Sequence, residues 1–179
     1  EASAPEKDPN MPVVLSNLGE AHNIAGKYEE AAAAYTKAIE LAPNSTNIYL
    51  ALGTAQAQMG KVTEAMATCD KVAGLPPTAA ADAMQVASTC FGNVGIILQN
   101  TARMKESIEP LRKATQHNPN AADYWFLLGR GLANAMDYKM EGGQMKVIIQ
   151  PGTAEAYQKY LELAPNGRFA QDAKDGLAM

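Results

Sequence analysis

The chain has 179 residues and a net charge of −4, from 15 basic and 19 acidic side chains. That balance leaves no electrostatic footprint for nucleic acid or an anionic membrane, and no apolar run nears the ~18 residues that span a bilayer. Hydrophobic residues make up 47% but aromatics only 6%. Alanine supplies much of the difference, which favours closely packed helices over a β-sandwich.

Residues 1–10, E-A-S-A-P-E-K-D-P-N, read as a polar tail or linker. A start at Glu1 without methionine, in a stretch of Ala, Ser and Pro, suits either a trimmed chain or a mature bacterial protein exported to the periplasm or beyond. Cytoplasmic residence is the alternative. A first helix is expected over 11–25, with Leu15, Leu18 and Gly19 inward, followed by a Gly26-Lys27 turn. A second spans 28–42. Its Ala31, Tyr35 and Ala38 recur at spacings of four and three on one face, and Pro43 stops it. Gly60-Lys61 repeats Gly26-Lys27 at a spacing of 34, and Y-L-E-L-A-P-N, ending at Pro165-Asn166, echoes the segment ending at Pro43-Asn44. Such self-similarity predicts a stack of helical units.

A third unit runs from Pro77 to Pro119 with about eight extra residues. It comprises a long helix over 79–99 and a second over 103–117, which Pro110 is expected to kink. A fourth opens at Ala122-Asp123-Tyr124-Trp125 and carries twelve extra residues. Within this insertion, 137–150, Gly142-Gly143 signals a two-residue hairpin. That turn pairs Met140 with Met145 and Tyr138 with Val147. These four and Ile149 then share one apolar face. A two-stranded ribbon alone is marginal in water, so this face must dock, either on its own fourth unit or on another copy of the chain. Arg168–Met179 reads as an amphipathic capping helix.

Leu18, Gly19, Ala31, Tyr35, Ala38 and Pro43, then Tyr49, Leu52, Gly53, Ala65 and Pro77, then Trp125, Leu128, Gly129 and Leu132, fall on signature positions of a 34-residue helix–turn–helix unit. On these residues the chain resembles the tetratricopeptide repeat family over roughly 11–179. The resemblance implies an all-α, right-handed α-solenoid with units at about 12–45, 46–79, 80–121 and 122–167, interrupted by the hairpin and closed by the cap at 168–179. It also implies a non-enzymatic scaffold whose first helices line a concave groove for a partner segment, with Leu50, Met84, Phe126, Arg130 and Asn134 as candidate contacts. Ser16 and Glu20 stand where relatives that clamp acidic chaperone tails carry basic or amide side chains, which argues against that activity here.

No catalytic constellation, cofactor loop or metal-ligand spacing stands out. Cys69 and Cys90 read either as small buried apolar residues or as a disulfide. In the repeat register they lie on a second helix and the following first helix, which pack together, so a bond is geometrically open to them. The sequence therefore predicts a protein-binding module without cofactor or enzymatic activity. Its competing reading is a structural subunit that self-associates into an extracellular or periplasmic assembly through hairpin, tail and cap.

Overall fold

The computed structural model describes residues 8–76, 78, 80–135 and 137–178, so most of the tail lies outside the described residues. Two compact units divide the chain at Cys90 and Phe91.

In the first unit, α1 (Met11–Ile24) pairs with α2 (Tyr28–Leu41), and α3 (Thr46–Gln58) with α4 (Val62–Ala73). The Ala31–Tyr35–Ala38 face of α2 meets Ile48, Leu52 and Ala55 of α3 in one cluster. Gly19 lets α1 approach: a Cβ there would stand 2.6 Å from the Tyr35 ring. The turn after α1 is closed by the Gly26 and Lys27 amides, which donate to the carbonyls of Asn23 and His22. Gly60 and Lys61 repeat this with Ala57 and Gln56. This reciprocal pair of bonds caps a helix whose next residue has positive φ, and Gly26 and Gly60 adopt φ of 71° and 75°.

Tyr35 also donates its phenol to Glu20 Oε2 at 3.0 Å. Burial and this carboxylate hold the Tyr35 phenol well above the usual tyrosine range. The folded state therefore keeps that proton more tightly than the unfolded chain, whose tyrosine titrates near pH 10. Stability from this source is complete below about pH 10 and falls as pH climbs beyond it. Urea midpoints measured from pH 8 to pH 11 should decline, and Tyr35→Phe should flatten part of that decline.

The helix expected from residue 79 is observed as α5 (Ala83–Asn100), whose residues through Cys90 belong to the first unit. In the second unit, the helix expected over 103–117 is divided. A 3₁₀ turn (Lys105–Ser107) precedes α6 (Ile108–His117). Pro110 is the third residue of α6 rather than a kink within a longer helix. Its missing N–H falls in the first turn, where no intrahelical bond is lost, and the residues before it tighten to 3₁₀ instead. Gly95 lies under Leu111 as Gly19 lies under Tyr35.

Ala102 occupies the capping position of Gly26 and Gly60. Its amide and that of Arg103 donate to the carbonyls of Gln99 and Leu98, and its φ is 61°. A Cβ in this left-handed conformation costs about 1–2 kcal/mol. Ala102→Gly should therefore raise stability by roughly 1 kcal/mol, read as a higher urea midpoint with unchanged slope.

The unit continues with α7 (Ala122–Asn134), the hairpin β1 (Asp137–Glu141) and β2 (Gln144–Ile148), α8 (Thr153–Leu163) and α9 (Ala170–Leu177). Its core gathers Leu111, Leu128, Leu132, Tyr157 and Tyr160, with Phe169 packed against it. The expected cap is thus present as α9, which contacts both α7 and α8. Gln99, almost fully buried, ties α5 to the rest of the unit. Its Nε2 donates to Ser107 Oγ and to the Leu127 carbonyl.

Candidate interaction surfaces

Two surfaces stand out, both in the second unit. The first is a cleft of about 490 Å³ between α7 and α9. Phe126, Arg130 and Asn134 recur every four residues, so one face of α7 supplies a wall. Asp172, Asp175 and Gly176 of α9 form the opposite wall, and Ala133, Tyr157 and Phe169 complete the lining.

Arg130 is held in place, its Nε donating to Gln99 Oε1 at 2.8 Å. Asn134 Nδ2 donates to the Arg130 carbonyl. Burial pushes the Tyr157 phenol above its usual range, with the Arg130 charge opposing and the Asp172 carboxylate adding to the shift. The cleft can therefore offer an aromatic surface, a guanidinium on one wall and carboxylates on the other.

Of the candidate groove residues, Phe126, Arg130 and Asn134 line this one cleft. Phe126, a candidate groove contact, is largely covered. It is 4% exposed, because Phe169 stacks on it with ring centroids 4.2 Å apart. Sequence reasoning placed no partner over α7 here, and it also missed the α9 carboxylates. Leu50 and Met84 lie in the first unit; Leu50 is half-buried and Met84 exposed.

The second surface is the hairpin. Tyr138 faces Val147 and Met140 faces Met145 across the strands. Gly142 and Gly143, with φ of 61° and 82°, make the turn. Gln150 Nε2 donates to the Ala135 carbonyl and to Asp137 Oδ2, pinning the base. The expectation that this ribbon docks on its own fourth unit is not met. All residues of both strands are exposed, and Tyr138, Met140, Met145, Val147 and Ile149 expose 44–69% of their surfaces. Alternation along a strand defines an apolar face, but not whether anything covers it.

Cys69 and Cys90 form a disulfide with Cα atoms 5.6 Å apart, joining α4 to α5. Both residues are fully buried. Gly53 makes room for them: a Cβ there would lie 2.8 Å from Cys90 Sγ and 3.4 Å from Cys69 Sγ. Among the described residues, no three His, Cys, Asp or Glu side chains gather as a metal site. No helix among them is long and apolar enough to cross a membrane.

Paired helices with glycine-under-ring contacts define an all-α helical-repeat protein with a hairpin inserted. In the first unit these repeats match tetratricopeptide repeat models. One family model, described as TPR repeat, matches residues 19–60, and another, described as tetratricopeptide repeat, matches residues 46–78. Among solved structures, a crystal structure of MamA is 19% identical with a TM-score of 0.58, over 96% of this chain and 85% of that one. A MamA fragment from Desulfovibrio magneticus RS-1 is 18% identical with a TM-score of 0.53, over 94% and 88%. The first tetratricopeptide domain of Spaghetti (RPAP3), solved with an HSP90 peptide, is 18% identical with a TM-score of 0.50, over 72% and 95%. At these identities the likeness establishes the fold. No curated protein matches the chain. Tetratricopeptide folds are typically non-enzymatic, and this one supports a protein-interaction scaffold.

Proposed function

We propose that the chain is a non-enzymatic scaffold that takes a segment of a partner protein against its first-helix face, with the α7–α9 cleft as a working site. The observation that carries this reading is the cleft itself, where Phe126, Arg130 and Asn134 meet Asp172 and Asp175 around about 490 Å³. Opposed charges over a partly apolar floor suit a peptide held by a few polar contacts and one inserted side chain. The Spaghetti (RPAP3) domain, of similar fold, is bound to a peptide, which is consistent with that use. The test is selection of peptides from a random display library on the immobilised chain, then titration against Asn134→Arg and Asp172→Arg. Both positions are exposed, so both variants should fold. Selected peptides should lose at least tenfold in affinity to each; peptides indifferent to both substitutions would place the working surface elsewhere.

A second reading is favoured by the uncovered hairpin: a structural subunit that self-associates. Replacing 137–150 by a short glycine linker should then yield monomers, whereas a scaffold that only binds partner segments keeps its oligomeric state. The Cys69–Cys90 bond supports an oxidising, periplasmic or extracellular location in either case. Alkylation of the protein denatured straight from its native source, without reductant, should leave both cysteines unlabelled.

A further inference from the structure

The exposed large apolar side chains are unevenly placed. Among the described residues, all of them except Met84 belong to α1 or to the hairpin and its trailing Ile149. Met11, Val14, Leu18 and Ala21 of α1 and Ala25 just past its end follow one another at spacings of three, four, three and four, and all five are exposed. That spacing sets them in one straight row. Thirty-four residues further on, Ile48 and Leu52 hold the register of Val14 and Leu18, yet are buried at 7% and 8% in the cluster with Ala31, Tyr35 and Ala38 of α2. Among the described residues, the α1 row is thus the uncovered counterpart of a contact the fold makes elsewhere. The cap does not offer a cover of that kind, because α9 exposes Gln171, Asp172, Lys174 and Asp175.

We propose that the apolar face of the hairpin, Tyr138, Met140, Met145, Val147 and Ile149, docks on the α1 row of a second copy of this chain. The inference rests on the self-association reading and names the two surfaces that meet. Their sizes agree: five-residue strands reach about 16 Å and a fourteen-residue helix about 21 Å. Their charges do not oppose the contact. Lys146 Nζ is paired with Glu141 at 2.7 Å, on the strand face opposite the apolar one. The α1 row is flanked by Leu15, Asn17, His22 and Ile24, none of them acidic and none a lysine or arginine. The five apolar side chains of the hairpin face are all exposed, and contiguous exposed apolar patches mark interaction sites. One two-stranded ribbon is a small contact beside the ~800 Å² per partner of a stable complex, so assembly grows with concentration. Each copy carries one hairpin and one α1, so the contact is head-to-tail and repeats from copy to copy.

The test is light scattering of the whole chain over a concentration series, with wild type, Leu18→Glu, Val147→Glu and an equimolar mixture of the two variants. Both substituted positions are exposed, and circular dichroism melts check that each variant folds. The wild type should gain mass with concentration, and each variant alone should stay monomeric. The mixture should reach twice the monomer mass and stop there, since only the intact hairpin of one variant and the intact α1 of the other remain to meet. A wild type that stays monomeric throughout overturns both this inference and self-association. Loss of assembly in one variant only, in neither, or in both without rescue by mixing overturns this pairing while leaving self-association through another contact in place.

Discussion

Replacing Cys69 and Cys90 together by alanine should lower the stability of the first unit by about 3 kcal/mol. The bond closes a segment with a sequence separation of 21, and a loop of that size contributes about this much by restricting the unfolded chain. For a chain of this length the loss corresponds to a fall in Tm of roughly 6–12 °C. Both cysteines are fully buried and pack where Gly53 leaves room for their sulfurs, so the truncated side chains also forfeit contacts. Cys69→Ala alone should cost nearly as much as the double variant, because either change breaks the same bond and the two effects are not additive. Hydrogen exchange should place the loss in α4 and the Ala83–Cys90 part of α5. Equal urea midpoints for oxidised wild type and the double variant would mean that the bond contributes nothing to the folded protein.

Much of this fold is legible because one contact recurs in the sequence. Gly19 and Tyr35, Gly53 and Cys69, and Gly95 and Leu111 are each separated by sixteen residues. In each pair the glycine lies beneath the second side chain. Gly129 and Tyr157 make the same contact at twenty-eight, the excess of twelve being the hairpin insertion. Where a glycine gives way to another residue the signal fades. Ala102 performs the helix cap of Gly26 and Gly60 without announcing itself, and this obscured the third unit. Pro110 read as a kink because the boundary of α6 is set by the 3₁₀ turn before it, which periodicity does not reveal. The site was less legible than the fold. The positions of Phe126, Arg130 and Asn134 follow from the repeat register. The stacking of Phe169 and the carboxylates of α9 come from a segment outside the repeat, for which no register exists.

That segment carries the second large effect: Phe126→Ala should cost about 3–5 kcal/mol and release α9. Phe126 stacks on Phe169 and meets Tyr160 at a tilt of 56° with centroids 5.6 Å apart. Tyr160 in turn accepts a hydrogen bond at its phenol oxygen from the Phe169 amide, and the Arg168 guanidinium lies 4.5 Å from the Phe169 ring centroid. The cap is therefore held mainly by one aromatic cluster, reinforced by Ala170 and Ala173 in the same core. Tyr160→Phe keeps the ring and removes only the acceptor, so it should cost about 1 kcal/mol. The contrast separates packing from hydrogen bonding. Urea unfolding followed by Trp125 fluorescence gives both energies, and hydrogen exchange across 170–177 reports the cap directly. In Phe126→Ala the α9 amides should exchange faster while those of α1–α4 stay protected. If α9 protection survives the substitution, the cap is held by its contacts with α8 rather than by the ring stack, and the α7–α9 cleft keeps its shape without Phe126.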